Sequence, residues 1–367
     1  MHSNKGIDYV LCNRIKMGKY ISMVWIRRLL LPFSLVFGAL VWIKNFLYDR
    51  GILASTAFQF PVLVVGNLST GGSGKTPMVE YLIRLYRKNG FEPVVLSRGY
   101  GRKSKGFLKV EADSDALLVG DEPLQIKYKY PDTNVFVCEN RVRGIEQIVA
   151  IYKPEGKFVI ICDDAFQHRR LKAAYYLLLW TYDDMRSMRL LLPAGNFREP
   201  DSARFRSDIQ VVTKVPEHAP NTILQEIENY LEFDETPVFF SQIQYGGFYN
   251  FYGEGVELES ANVLLVSGIA NPSPLIRYLA QIGISALPML YKDHHNFSTT
   301  DIHEIIDLYN QKKFDYVLFT EKDYVRIKNL LPADFPAIYI RIKTRIIKEE
   351  LGFEKRVLAF VQGYYSS

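Results

Sequence analysis

The sequence predicts an α/β fold in which a mainly parallel sheet is covered by helices on both faces. Three observations support this: short apolar runs rich in β-branched residues recur along the chain, helical patterns separate them, and glycine-rich turns follow several of them. Repeated strand and helix alternation favours a parallel sheet with right-handed crossovers. The chain has 367 residues, which exceeds one typical domain, so we expect a second, smaller α/β lobe.

Composition and pattern divide the chain into segments. A hydrophobic fraction of 48% with 23% charged residues is typical of globular proteins and argues against disorder, collagen-like repeats and coiled coils. The three cysteines are too few and too scattered for a disulfide framework or a zinc site, so we expect buried thiols in a reducing compartment. We predict an N-terminal helix in residues 1–50, a core domain in 51–230, a β-ribbon linker in 231–258 and the smaller α/β lobe in 259–367.

The N-terminal segment is both basic and apolar. Residues 1–50 carry eight cations against two acids, and the uncharged run 29–43 lies between Arg28 and Lys44. As a helix this run measures about 22 Å, short of the roughly 30 Å hydrocarbon core, so we do not expect a full crossing. Pro32, near its start, fits a helix N-terminus.

Two interpretations of this segment remain open. One is a core helix of the domain. The other is a helix in, or partly through, the cytoplasmic leaflet of a membrane, which the flanking cations, Trp25 and Trp42 favour. No small-residue cleavage site follows, so we expect the segment to be retained. A nucleic-acid binder should spread its basic footprint over the domain, so we expect no nucleic-acid partner.

A glycine-rich turn joins the first apolar run to a helical pattern. The run is Phe60–Gly66, and the helical pattern extends from Pro77 to Gly90, which suits a left-handed cap. Backbone N–H groups of such a turn converge on a phosphate, a lysine reaches the β- and γ-phosphates, and a hydroxyl ligates Mg²⁺. A chance glycine-rich string is the alternative, and Ser69 departs from the strict pattern by replacing its first glycine. The prediction is a P-loop NTPase-like parallel sheet whose nucleotide-binding residues are Thr70, Gly71, Gly72, Ser73, Gly74, Lys75 and Thr76.

Carboxylates follow a second apolar run. Residues 157–162 read as a buried strand that ends in Asp163 and Asp164. Acid at the carboxyl end of such a strand holds Mg²⁺ or its waters in P-loop proteins, whereas a solvated strand end is the alternative. We predict that Asp163, Asp164 and Thr76 are metal ligands. His168 is expected to line the same crevice, with a structural histidine as the alternative.

Three further loops carry weaker signals. The turn Ser97–Arg102 could aim Arg98 at an anion and present Tyr100 for stacking, or it could only turn the chain. Gly120–Pro123 places two carboxylates before a helical stretch, but acids before proline are also common helix starters. The strand end 209–214 resembles the base-reading segment of P-loop GTPases, and Pro216 replaces the aspartate that specifies guanine, which favours adenine.

Eight motifs together resemble one known family. Over roughly residues 25–345 their order is similar to that of the tetraacyldisaccharide 4′-kinases, the lipid A 4′-kinases. The motifs are Thr70–Pro77, Ser97–Gly101, Gly120–Pro123, Asp163–His168, Leu192–Pro200, Ser267–Pro272, Asp293-His294 and Thr320–Asp323. Ala165 stands where glycine is commoner in that family.

The resemblance implies an activity and roles for residues. It implies transfer of the ATP γ-phosphoryl group, with Mg²⁺, to the 4′-hydroxyl of a tetraacylated glucosamine disaccharide 1-phosphate at the cytoplasmic face of the inner membrane. No obligate protein partner is expected. By the same resemblance, Asp121 is the catalytic base paired with His294, and Lys75 acts on the phosphates. Glu122 joins the candidate metal ligands, and the candidate substrate contacts are Arg98, Tyr100, Arg141, His168 and Asn196.

Two other functions compete with this one. A membrane-peripheral ATPase of the partitioning type has a similar loop, but it uses a lysine where this chain has Thr70 and does not need the Gly120–Pro123 or Thr320–Asp323 motifs. A noncatalytic scaffold that binds nucleotide for stability would not need to retain Asp121, Asp163 and Asp164. Both remain alternatives to the kinase.

Overall fold

The protein is described by a computed structural model that covers residues 5–152, 156–233, 235–293 and 295–366, with side chains from residue 27 onward. His294, the predicted partner of Asp121, lies outside the described residues. The helices are α1 (Lys5–Asp49), α2 (Lys75–Lys88), α3 (Ala116–Val119), α4 (Asp121–Lys129), α5 (Arg141–Gln147), α6 (Tyr182–Met185), α7 (Asn221–Leu231), α8 (Ser273–Gln281), α9 (Thr299–Lys312), α10 (Glu321–Ile327) and α11 (Glu350–Gln362).

The strands form one continuous sheet. They are β1 (Val62–Asn67), β2 (Glu92–Ser97), β3 (Leu108–Val110), β4 (Asn134–Val137), β5 (Phe158–Asp163), β6 (Tyr175–Thr181), β7 (Ile209–Thr213), β8 (Val238–Asn250), β9 (Gly255–Val256), β10 (Asn262–Ser267), β11 (Ser285–Leu290), β12 (Tyr316–Thr320) and β13 (Ala337–Ile346). Their order is β11-β10-β12-β13-β8-β7-β6-β1-β5-β2-β4-β3, with β9 paired to β8.

The sheet is mainly parallel within each of its two parts, with the short edge strand β3 antiparallel to β4. Strands β4, β2, β5, β1, β6, β7 and the start of β8 run parallel, as do β11, β10, β12 and β13. The long strand β8 joins the parts, because its first residues pair with β7 and its later residues pair with β13 in antiparallel register. The segment expected to be a ribbon therefore contains a hairpin of β8 and β9 that is integrated into the sheet.

Apolar cores cover both faces of both parts, which confirms the predicted fold class. In the first part, α2 packs on one face and α5 and α7 pack on the other. In the second part, α9 and α8 occupy the two faces. Helix α11, which the sequence analysis groups with the second lobe, packs its Phe353, Val357 and Val361 into the first core. Cys138 and Cys162 are buried free thiols.

Helix α1 is longer than its uncharged run. It continues on the N-terminal side of Pro32, which lies inside the helix, so the prediction that Pro32 marks a helix N-terminus is wrong. A proline inside a helix removes one backbone donor and crowds one turn, and here the helix continues on both sides of it. Residues Arg27–Asp49 are long and apolar enough to cross a membrane by length and composition, and most of this stretch is exposed.

Candidate active site

The glycine-rich segment 70–76, called the phosphate loop after its predicted role, connects β1 to the start of α2, as the sequence predicts. Gly74 precedes α2 with a φ of 81°, a left-handed conformation that glycine adopts without steric cost. The ammonium group of Lys75 lies 3.1 Å from Asn67 Oδ1, 3.4 Å from Ser73 Oγ and 3.6 Å from Asp164 Oδ1. The lysine is therefore held over the loop by neighbouring oxygens, beside the end of β5.

Contacts from three other segments fix the loop. Ser69, at the position where the strict pattern has glycine, donates its hydroxyl proton to Asp184 Oδ2 over 2.9 Å. At the end of β7, Thr213 donates to the carbonyl of Ser73 over 2.8 Å, and Lys214 donates to the carbonyl of Gly72 over 2.5 Å. The backbone N–H of Thr70 donates to the carbonyl of Asn196 over 2.7 Å. The loop is thus held in a fixed shape by its surroundings.

The carboxylates at the end of β5 lie next to this loop. Asp163 is fully buried, accepts a hydrogen bond from Ser97 Oγ over 3.3 Å, and has an Oδ1 atom that is buried with no hydrogen-bond partner among the described residues. Burial raises the pKa of Asp163, and the nearby carboxylates of Glu122 and Asp164 raise it further. Burial alone would also raise the pKa of Asp164, but the charges of Lys75 and Arg198 outweigh it and hold the pKa at about 2.

This arrangement fits a divalent cation. A buried carboxylate oxygen without a partner is costly unless a donor or a cation satisfies it. Among the described residues no group of three or more His, Cys, Asp or Glu side chains is arranged to hold a metal by itself. Mg²⁺ is usually bound by one or two carboxylates together with substrate phosphates and water.

Two arginines contact Asp163 and Asp164, one through their backbone carbonyls and the other through the carboxylate of Asp164. Arg141 is buried, and its guanidinium donates to the carbonyls of Cys138, Glu139, Asp163 and Asp164 over 2.9–3.2 Å. These hydrogen bonds hold the backbone at Asp163 and Asp164 in place. Arg198, which sequence analysis did not single out, lies 3.0 Å from Asp164 Oδ1 and 2.5 Å from Asn67 Oδ1.

The loops after β2 and before α4 pack directly against each other. A Cβ atom on Gly120 would lie 3.1 Å from Gly99 Cα, and one on Gly99 would lie 2.8 Å from the carbonyl oxygen of Val119. The φ angles are also positive, 92° at Gly120 and 68° at Gly99. A side chain at either position is therefore disfavoured both by the close contact and by the backbone conformation. This contact fixes Asp121 and Glu122, the first residues of α4, beside the Ser97–Arg102 turn. Tyr100 in that turn is 71% exposed.

His168 lies in a basic environment. Burial lowers its pKa to about 4, and the positive charges of Arg141, Arg170, Lys44 and Arg98 contribute to the lowering. Its Nε2 atom is buried with no hydrogen-bond partner among the described residues. A neutral imidazole surrounded by four cations suits an anionic ligand group.

Helix α1 docks on the segment that carries Asn196 and Arg198. The Ser34 hydroxyl donates to the carbonyl of Leu191 and accepts from the N–H of Ala194, and Asn45 Nδ2 lies 3.5 Å from Glu199 Oε1. Lys44 donates to the carbonyl of Gln167, next to His168. The apolar helix is thus joined to the phosphate loop through residues 191–199.

Comparisons with known proteins agree with these features. The family model described as tetraacyldisaccharide-1-P 4′-kinase matches residues 26–362. The chain belongs to this kinase family. Curated relatives named tetraacyldisaccharide 4′-kinase include one from Flavobacterium johnsoniae, with 40% identity over 92% of this chain and 98% of the relative. Another, from Bacteroides thetaiotaomicron, has 37% identity over 92% of this chain and 94% of the relative.

A solved structure supports the same assignment at the level of the fold. The crystal structure of the "apo" form of LpxK from Aquifex aeolicus, in complex with ATP, has a TM-score of 0.73 and 30% sequence identity. The similarity covers 92% of this chain and 99% of that chain.

The structure brings together most of the residues that the sequence singles out as a site. Thr70–Thr76, Asp163 and Asp164 share one crevice, with Glu122 close enough to raise the pKa of Asp163. Asn196 contacts the loop through its carbonyl, which accepts from Thr70, while its side chain is exposed. Arg198 lies in the Leu192–Pro200 motif, and Lys214 lies at the strand end 209–214. The signal in the sequence that points to these two residues is their positive charge within those segments.

Proposed function

We propose that this chain transfers the γ-phosphoryl group of ATP to the 4′-hydroxyl of a tetraacyl glucosamine disaccharide 1-phosphate. The single observation that carries the proposal is the position of Lys75, at the N-terminus of α2 and 3.6 Å from Asp164, in a chain of this kinase family. Backbone N–H groups and a lysine at a helix N-terminus bind the phosphates of a nucleotide. The loop therefore presents the γ-phosphate toward the carboxylates of β5 and α4.

The transfer needs a proton acceptor and charge neutralisation. The 4′-hydroxyl oxygen forms a bond to the γ-phosphorus, the bond to the β–γ bridging oxygen breaks, and ADP leaves. The hydroxyl proton passes to the carboxylate of Asp121, with His294 proposed as its partner on the family resemblance. Because the transition state of phosphoryl transfer is loose, positioning matters more than base strength. Lys75 stabilises negative charge on the transferred group.

A Mg²⁺ ion would be held by Asp163, Asp164 and the hydroxyl of Thr76, with Glu122 nearby. When bound, the ion neutralises phosphate charge and orients the β- and γ-phosphates. The Oδ1 atom of Asp163, which is buried and has no hydrogen-bond partner in the described part of the chain, supports this assignment. Arg141 orients both aspartates by binding their carbonyls, so we assign it a supporting role in the metal site.

The lipid would approach along helix α1. Exposed apolar side chains cover that helix, Leu29 and Leu35 among them, at 75% and 76% exposed. We propose that this surface lies in the cytoplasmic leaflet of the inner membrane and contacts acyl chains. The substrate 1-phosphate would then lie among Arg98, Arg170, Lys44 and His168, and Tyr100 would contact a sugar ring. Lys44 links the helix to this basic group.

The test is an incubation of the purified protein with γ-labelled ATP and tetraacyldisaccharide 1-phosphate. We expect label in the lipid fraction, and Asp121→Ala should lower kcat by at least about 10²-fold while ATP affinity stays similar. ATP turnover that does not depend on the lipid would instead favour the partitioning-type ATPase. Nucleotide binding without turnover would favour the scaffold.

A further inference from the structure

Helices α4 and α10 come from different parts of the sheet and lie side by side with opposite directions. At one end of the pair, Lys129 Nζ lies 2.9 Å from Glu321 Oε2. At the other end, Arg326 donates to the Oδ2 atom of Asp121, 205 residues away in sequence. Between these two ion pairs, the ring centroids of Tyr128 and Tyr324 lie 6.2 Å apart. The first residue of α4 is therefore held by a side chain of α10.

Arg326 is itself held from behind by the Thr320–Asp323 motif. Its Nη1 atom lies 3.5 Å from Asp323 Oδ1. Asp323 is fully buried, and its Oδ2 atom accepts from Thr320 Oγ1 over 2.7 Å and from the N–H of Gly268 over 3.0 Å. The ends of β10 and β12 thus fix the carboxylate that orients the guanidinium.

The same segment reaches a second stretch of the predicted site. Lys322, in the Thr320–Asp323 motif, lies 2.9 Å from Asp293 Oδ1, and Asp293 directly precedes His294 in the sequence. Helix α10, through Lys322 and Arg326, therefore contacts both stretches on which the resemblance places the acid–base pair. The contacts of Lys322 with Asp293 and of Arg326 with Asp121 both come from α10. Neither contact involves the phosphate loop or the carboxylates after β5.

We propose that Arg326 is a positioning residue, which acts through Asp121 by holding its carboxylate toward the acceptor hydroxyl. Asp323 is the residue that fixes Arg326. This inference rests on the proposed kinase function and on the role of Asp121 within it. The geometry is suited to the task, because a buried guanidinium fixes carboxylate orientation more strictly than a mobile ammonium would. Arg326 would contact neither ATP nor the lipid.

The test is a double-mutant cycle on kcat with saturating ATP and lipid. Arg326→Met should lower kcat by about 10- to 100-fold, the usual effect of losing a side chain that orients a functional group, with ATP affinity unchanged. In the Asp121→Ala background the same substitution should change kcat by less than about twofold, because its partner is already absent. Losses that multiply in the double variant would overturn the inference.

A matched control lies two residues away, at the C-terminal end of the same helix. The ammonium of Lys328 is 3.5 Å from the ring centroid of Tyr128 in α4, and Lys328→Met removes one cation from the same helix pair without touching Asp121. We expect kcat near that of the wild type for this variant. If Lys328→Met lowered kcat as much as Arg326→Met does, the effect of Arg326 would come from the packing of the two helices and not from its contact with Asp121.

Two further measurements keep the outcome decisive. If Arg326→Met unfolds below the assay temperature, the cycle is run with Arg326→Lys, which retains the buried charge and should show a smaller loss that also vanishes in the Asp121→Ala background. Wild-type protein is assayed in parallel. A wild type that fails to phosphorylate the lipid would overturn the proposed function, whereas an active wild type with multiplying losses would overturn only the role of Arg326.

Discussion

Lys75 Nζ lies 3.6 Å from Asp164 Oδ1, so the lysine of the glycine-rich loop forms an ion pair with the carboxylate that follows β5. The lysine is nearly buried, and Asn67 and Ser73 hold it in the same place. Its charge is therefore positioned before nucleotide binds. Preorganised charge of this kind stabilises a transition state without the cost of rearrangement.

Lys75→Met should remove that charge and leave most of the side-chain volume. We expect kcat to fall by at least about 10²-fold, because one preorganised charge at the transferred group is absent. The control is Lys348→Met, which removes an exposed lysine that is paired with Glu228. Steady-state kinetics and the circular dichroism spectrum of both variants check this. Activity in Lys75→Met comparable to that of the control would exclude Lys75 from the transfer.

Asp163→Asn should separate metal binding from stability. The variant replaces a buried carboxylate by a neutral amide of the same shape, at a site where one carboxylate oxygen has no hydrogen-bond partner among the residues that the structure describes. We expect a higher melting temperature than the wild type in EDTA, since an unpaired buried charge is costly, and a higher Mg²⁺ concentration for half-maximal activity. Asp132→Asn, at an exposed position, is the control. An unchanged Mg²⁺ requirement would remove Asp163 from the metal site.

His168 should make stability fall at mildly acidic pH. Its pKa is about 4 in the folded protein and 6.5 in the unfolded chain, so the unfolded state binds more protons between these values. The free energy of unfolding therefore decreases as the pH drops through that range. His168→Gln should show a smaller decrease between pH 7 and pH 5 in urea unfolding. An identical decrease in both proteins would mean that the imidazole titrates normally.

The parallel sheet explains why much of the site was predictable from sequence. Strands β1, β2 and β5 pair in parallel, so the turns after them meet at one edge. A glycine-rich turn, an arginine-containing turn and two aspartates could therefore be assigned to a single crevice from their positions after apolar runs. The phosphate loop and the neighbouring Asp163 and Asp164 follow from local pattern alone.

Contacts between distant segments could not be predicted in this way. The bond from Arg326 to Asp121 depends on how two helices from different parts of the sheet pack, and no periodicity in either helix specifies that partner. The return of α11 to the first core is a similar case, because its apolar face would suit either part. Pro32 was misplaced because the preference of proline for the first helical turn was applied to a helix that extends from Lys5 to Asp49 and contains the proline in its interior.

The exposed apolar face of α1 should anchor the protein to membranes. Leu35→Asp combined with Leu40→Asp places charges on that face without disturbing the contacts of Ser34 and Asn45. We expect this variant to move from the membrane pellet to the supernatant, because charged side chains in hydrocarbon are costly. Ile52→Asp, 65% exposed just beyond the helix, is the control. Pelleting of the double variant like the wild type, after a high-salt wash, would contradict this role.

If ATP held by the Lys75 loop phosphorylates an acylated disaccharide, lipid product and ADP must form together. We would measure the ratio of 4′-phosphorylated lipid formed to ADP released by the purified wild-type protein, with the phosphate position assigned by ³¹P NMR of the product. A ratio of about one, with the new phosphate on the 4′-oxygen, is what a direct transfer requires. ADP released while the lipid remains unmodified, or a phosphate attached elsewhere on the sugar, would contradict it.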